Sequence, residues 1–129
     1  MSDMSIRATF QPTVNEFIST LEEFATGSYL KAEEKEFWDE PFDVKALPEL
    51  RRILENYLDT LDKIGQGPEL DTLNATAQNT LDELDKFNTR YHGAVIEPEE
   101  KEEIADLLFD AAKLTGADDL SLDSFPEFE

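Results

Sequence analysis

The sequence predicts an all-α fold, namely a single small helical bundle of four to five helices with an acidic C-terminal tail. Apolar residues recur at intervals of three and four along four segments, which is the periodicity of amphipathic helices. Alternating patterns are short and β-branched residues are sparse, so no strand is predicted. With 129 residues, 40% of them hydrophobic, we expect one domain over 1–129. Within it, 1–10 and 118–129 are expected to be less ordered.

The first long helix is predicted to begin near Thr13. Thr13 and Glu16 have the spacing of a capping box, in which each side chain bonds the backbone N–H of the other residue. A single apolar stripe follows, formed by Val14, Phe17, Ile18, Leu21, Phe24 and Ala25. Gly27 is the predicted end of this helix, because glycine readily adopts the left-handed conformation that ends many helices.

The region after the first helix is less regular. A short helix is predicted between Tyr29 and Trp38, and it would present Glu33, Glu34 and Glu36 outward. Pro41 and Pro48 flank a hydrophobic connector, whose apolar residues are Phe42, Val44 and Leu47. Pro48 suits the first turn of the next helix, because its missing N–H would have no intrahelical partner there. From Pro48 the apolar residues keep helical spacing until Gly65, the predicted end.

Two further long helices are predicted in the second half of the chain. One covers about Asp71 to Tyr91, and the other begins at Pro98 and ends at Gly116. Apolar residues of the former recur at about three and a half positions, which is typical of helices packed along one another. Self-association through the same side is an alternative that uses Leu73, Leu81 and Leu84. The predicted buried face of the last helix comprises Ile104, Leu107, Leu108, Ala111 and Leu114.

A distinctive run of residues extends over 70–116. Its positions are Leu73, Ala77, Leu81, Leu84, Ile96-Glu97, Lys101-Glu102, Ile104-Ala105, Leu108, Ala112-Lys113 and Gly116. In this run the chain resembles a family of small all-helical bacterial proteins that is known only as a domain of unknown function. The resemblance implies a helical fold in a bacterial protein. It brings no catalytic residues with it.

The charge of the chain restricts its partners. There are 31 acidic and 11 basic side chains, which gives a formal net charge of −20. This charge repels phosphate, so direct binding to nucleic acid or to an anionic membrane is not expected. The absence of cysteine excludes disulfides, thiolate nucleophiles and iron–sulfur clusters. No apolar run has the length of a signal peptide or a membrane span, so we expect a cytoplasmic protein.

Aromatic and acidic residues occur together around Trp38 and again at the end of the sequence. Aromatic anchors surrounded by charge are typical of protein-binding surfaces, although the same rings would also complete a hydrophobic core. A glutamate cluster begins the last helix, where the helix dipole favours negative charge and a solvated face is the alternative. The candidate partner-contact residues are Trp38, Phe42, Phe125, Phe128, Glu99, Glu100, Glu102 and Glu103.

Signals for catalysis or cofactor binding are weak. His92 lies in none of the spacings typical of catalytic or metal-binding histidines, and a position at a helix end explains it structurally. Asp119, Ser121 and Asp123 alternate as calcium ligands do, but the central glycine and distal glutamate of an EF-hand are missing. No catalytic residue, metal ligand or cofactor is therefore predicted.

Two functional hypotheses follow from these observations. The first is a non-enzymatic protein that acts through protein–protein contact with a basic partner. The alternative is a small hydrolase or ligand-binding domain that uses a carboxylate cluster and a divalent cation. Abundant carboxylates permit the second hypothesis, but no spacing selects a particular pair.

Overall fold

The computed structural model describes residues 5–27, 30–35, 42–117, 120–121 and 125–126, and over these ranges the chain contains helices and no strand. The predicted all-α bundle is confirmed. The elements in chain order are α1 (Ile6–Thr26), the short α2 (Ala32–Lys35), a 3-10 turn (Val44–Ala46), α3 (Leu47–Ile64), α4 (Leu70–Arg90) and α5 (Pro98–Lys113). All five acidic residues of the predicted tail, 118–129, lie outside the described residues.

The helix α3 lies at the centre of the bundle. It contacts α1, α4 and α5, and α5 also contacts α1. This position follows from its apolar content, since seven residues of α3 are buried: Leu47, Leu50, Ile53, Leu54, Tyr57, Leu58 and Leu61. One continuous core results, into which the other helices direct their apolar faces.

The helix α1 begins at Ile6, well before the predicted start at Thr13. Ser5 is the N-cap, and its hydroxyl accepts a hydrogen bond from the Ala8 N–H at 2.9 Å. The helix continues through Pro12, although proline cannot donate a hydrogen bond to the preceding turn. The capping-box interpretation of Thr13 is therefore wrong, and contacts with α3 explain why.

A polar network holds the first turns of α1 on α3. The Asp62 carboxylate accepts hydrogen bonds from the backbone N–H groups of Ile6, at 2.7 Å, and of Arg7, at 3.0 Å. These groups have no intrahelical partner at a helix start, and a negative charge is favoured there. The Arg7 guanidinium contacts Asp59 at 2.7 Å and Glu55 at 3.2 Å. The network offsets the hydrogen bond that Pro12 removes.

Buried polar side chains tie other parts of the bundle together. The Tyr57 hydroxyl on α3 donates a hydrogen bond of 2.6 Å to the Leu108 carbonyl on α5. Asn88 on α4 accepts from the Ile96 N–H at 2.9 Å and donates to the Ile96 carbonyl at 3.0 Å. This pair fixes the connection to α5, in which Val95 and Ile96 are buried.

The turn between α3 and α4 covers the end of α5. The Gly67 N–H donates to the Thr115 carbonyl at 2.8 Å, and the Gln66 amide donates to the Leu114 carbonyl at 3.2 Å. A side chain at Gly116 would approach the Gln66 side-chain oxygen within 3.1 Å, and its φ of +88° is unfavourable for other residues. Glycine at this position therefore permits the close contact.

Burial departs from the predicted helix faces at two positions. Phe24 is 44% exposed and Leu114 is 46% exposed, so both predictions of core positions are wrong. The leucines proposed for self-association, Leu73, Leu81 and Leu84, are buried within the chain itself. A second copy cannot contact them while the bundle stays closed. Among the described residues, no helix combines the length and apolarity needed to cross a membrane.

Candidate functional site

A groove lies between α1 and α5, with a volume of about 380 Å³. Its floor is apolar, since Phe17, Ile104 and Leu107 are buried and Phe10 is partly buried. Its rims are exposed and polar. They consist of Thr13, Glu16 and Thr20 on α1 and Glu103, Asp106 and Asp110 on α5.

Helical periodicity explains how these residues come together. On α1, Phe10, Thr13, Phe17 and Thr20 are three or four positions apart, and on α5 the same holds for Glu103, Asp106 and Asp110. Residues at this spacing share one side of a helix. Each helix therefore contributes buried apolar residues to the floor and neighbouring polar residues to one rim.

The groove carries negative charge without compensation along its lining. Four of its ten lining residues are acidic, and none is basic. The arginine–carboxylate pairs of the described residues involve Glu49, Glu55 and Asp59, and none uses a groove carboxylate. Like charges that line one cleft reinforce each other, because the low-dielectric walls focus their field. The groove is therefore suited to a cationic ligand.

A second, wider groove lies between α3 and α4 and has a volume of about 620 Å³. Its three basic residues, Arg52, Lys86 and Arg90, face three acidic ones, Glu49, Glu83 and Asp85. Arg90 forms an ion pair with Glu49 across the two helices. Because its charges compensate each other, this groove has no preference for one sign of ligand.

The two aromatic candidates that the structure describes, Phe42 and Phe125, do not line the groove between α1 and α5. Phe42 is buried, and so is Phe125, whose ring meets Phe109 edge to face with centroids 5.4 Å apart. Both rings thus belong to the hydrophobic core, which was the alternative to a protein-binding surface. Trp38 and Phe128 lie outside the described residues.

The predicted glutamate cluster lies at the start of α5, but only one member reaches the groove. Glu103 lines it, whereas Glu99, Glu100 and Glu102 are not among its lining residues. Burial raises the pKa of Glu100 and the nearby charges of Glu97, Glu99 and Glu103 raise it further, although a hydrogen bond from the Glu97 N–H acts in the opposite direction. The start of α5 is therefore an electrostatically crowded part of the surface.

Sequence reasoning missed most of the groove. Asp106 and Asp110 belong to no motif, and Glu16 was assigned only to a capping box. Each of the three resembles any other exposed acid of an amphipathic helix. Their helical spacing was a usable signal, but the pairing of α1 with α5 requires the three-dimensional structure.

The other candidate ligands form no metal site in the part of the chain that the structure describes. Within those ranges, no three histidine, cysteine or acidic side chains are placed to hold a metal ion. His92 is exposed and adopts a left-handed conformation, with φ of +60°, just after α4. Asp119 and Asp123 lie outside the described residues.

The fold and the groove define a small all-helical bundle with an acidic cleft between two of its helices. No protein-family model matches this chain, and neither a curated protein nor a solved structure matches it. The resemblance of residues 70–116 to small helical bacterial proteins of unknown function therefore stays a prediction.

Proposed function

We propose that the protein is a non-enzymatic helical bundle that acts by contact with a basic protein, and that the groove between α1 and α5 is the contact surface. One observation supports this most directly. The groove joins an apolar floor to four carboxylates, and those carboxylates take part in none of the arginine pairs of the described chain.

The two parts of the groove have different roles in this proposal. Covering the apolar surface that the groove still exposes, to which the partly buried Phe10 contributes, supplies affinity at roughly 25 cal/mol per Å² removed from water. The acidic rims speed the encounter with a cationic partner and disfavour anionic ones. The net charge of −20 acts in the same direction at longer range.

The test compares three forms of the chain as bait for chemical cross-linking in the native host. They are the unchanged protein, a groove variant with Glu103→Gln, Asp106→Asn and Asp110→Asn, and a control with Asp82→Asn, Glu83→Gln and Asp85→Asn on α4. Both variants lose the same charge from exposed helix positions. We expect one basic protein to be recovered with the unchanged chain and the control, and to be lost with the groove variant.

The recovered partner then allows a kinetic test. Its association rate should fall at least about tenfold between low and high salt, because screening removes electrostatic steering. Equal recovery by the groove variant, or a rate independent of salt, contradicts the proposal. Failure to recover any basic protein contradicts it as well.

No observation favours the alternative of a hydrolase or ligand-binding domain with a divalent cation. Calorimetric titration with Mg²⁺, Ca²⁺ and Mn²⁺ tests this alternative directly. Heat of binding from any of the three cations would support a cation-dependent domain. The cytoplasmic location is likewise proposed, and fractionation of the native host tests it.

A further inference from the structure

The chain contains its own example of an arginine bound to an acidic helix face. The Arg7 guanidinium on α1 contacts Asp59 through Nη1 at 2.7 Å and Glu55 through Nη2 at 3.2 Å. These two acids lie four residues apart on α3, so their side chains project from the same side one turn apart. A planar guanidinium can reach both at once, whereas a lysine ammonium is a single point of charge.

The α5 rim of the groove repeats this spacing. Asp106 and Asp110 are also four residues apart, both are exposed, and both line the groove. Among the residues that the structure describes, no arginine or lysine lines the groove with them. The α5 rim therefore has the same four-residue spacing of acids that binds Arg7 on α3, with an aspartate in place of the glutamate at the first position.

We propose that the groove binds an amphipathic helix of the partner, with one arginine bridging Asp106 and Asp110. This inference rests on the proposed function and specifies the chemistry of the partner. The apolar stripe of that helix would lie along the apolar floor, where the partly buried Phe10 exposes surface beside the buried Phe17, Ile104 and Leu107.

The shape of the groove favours a helix over an extended segment. Its α1 wall runs from Phe10 to Thr20, which corresponds to about 15 Å at a rise of roughly 1.5 Å per residue. Both walls are helical, so their side-chain ridges recur at intervals that a third helix can match. About three turns of a helix fill this length, and an apolar stripe beside an arginine would meet the floor and the α5 rim together.

Synthetic peptides of about four helical turns, long enough to exceed the groove, provide the test. The first peptide has leucines at helical spacing flanked by arginines, the second has every arginine replaced by lysine, and the third has the first composition in scrambled order. Each is titrated into the full chain, into Asp106→Asn/Asp110→Asn and into the control Asp82→Asn/Asp85→Asn. Circular dichroism and thermal unfolding establish that both variants are folded.

We expect the amphipathic arginine peptide to bind most tightly and to gain helical content on binding. The lysine peptide should bind about fivefold more weakly, which corresponds to about 1 kcal/mol for the lost bridge, and the scrambled peptide about tenfold more weakly. Asp106→Asn/Asp110→Asn should remove the preference for arginine over lysine. The control should keep that preference in full.

The possible failures are distinguishable. If the three peptides bind the full chain equally, and Asp106→Asn/Asp110→Asn weakens the binding of all three, this inference is overturned while the proposed function stands. If the peptides bind the groove variant and the control equally well, both are overturned. A preference for arginine that persists in Asp106→Asn/Asp110→Asn also overturns the inference, because the bridge would then lie elsewhere.

Discussion

At the scale of single residues, the buried hydroxyl of Tyr57 connects the central helix to α5. Its side chain is 2% exposed, and its hydrogen bond of 2.6 Å satisfies the Leu108 carbonyl inside the core. A buried polar group without a partner is costly, so such a bond is worth most when only one partner is removed. Apolar spacing predicts Tyr57 on the buried face, but no sequence pattern indicates which carbonyl its hydroxyl contacts.

We predict that Tyr57→Phe lowers the free energy of unfolding by about 1 kcal/mol, because the buried hydrogen bond from Tyr57 to the Leu108 carbonyl is lost. Urea denaturation measures the change. Tyr91→Phe is the matched control, since it removes the same oxygen from a half-buried ring. A loss with Tyr57→Phe no greater than that of the control would contradict the prediction.

The buried Tyr57 hydroxyl should also affect how the stability of the fold depends on alkaline pH. Burial raises the pKa of Tyr57 above its ordinary value of 10.0. Above that pH the unfolded chain has lost a proton that the folded chain still holds, so this contribution to stability is complete below pH 10 and is lost as the pH rises. Stability measured against pH should therefore decline less above this value in Tyr57→Phe than in Tyr91→Phe.

At the scale of elements, the start of α1 shows what a local sequence pattern cannot predict. Thr13 and Glu16 fit the spacing of a capping box, yet both lie inside a longer helix and line the groove. The group that stabilises the true start is Asp62, which is distant in the sequence and meets the N–H groups of Ile6 and Arg7 only after folding. The starts of α3 and α5 were predicted well because Pro48 and Pro98 are local signals.

We predict that Asp62→Asn destabilises the first turns of α1 by about 1 kcal/mol, because the variant loses one acceptor oxygen and the charge that favours a helix start. Hydrogen exchange should become faster in the turns before Pro12, while exchange in the rest of α1 changes less. Asp85→Asn removes one exposed charge from α4 and serves as the control. Unchanged exchange in Asp62→Asn would show that Ser5 alone caps the helix.

At the scale of the whole molecule, the spacing of apolar residues predicted the helical architecture but not the location of the groove. Helical periodicity identified the four long helices and most of the core, and the high negative charge indicated a basic partner. Which acids converge depends on α1 lying beside α5, a contact between helices that are remote in the sequence. Among the acidic candidates, Glu103 is therefore at the groove and Glu102 is not.

We predict that salt stabilises the folded chain. Repulsion among 31 acidic side chains exceeds the attraction of the few arginine pairs, so screening should raise Tm by about 4 °C for each 1 kcal/mol of repulsion removed. Thermal unfolding in increasing NaCl measures this shift. The α4 control with three neutralised acids should show a smaller increase, and a Tm that falls with NaCl would mean that the ion pairs dominate.

The position of the groove between α1 and α5 also determines when it can exist. On the ribosome, α1 is translated before α3 and α4, and α5 is translated only after them. A nascent chain that lacks α5 therefore has only the α1 wall of the groove, and Phe17 is not yet covered by Ile104 and Leu107. A partner that contacts both walls can therefore bind only a chain in which α5 has been translated. A nascent chain that still lacks α5 would not compete with the folded protein for that partner.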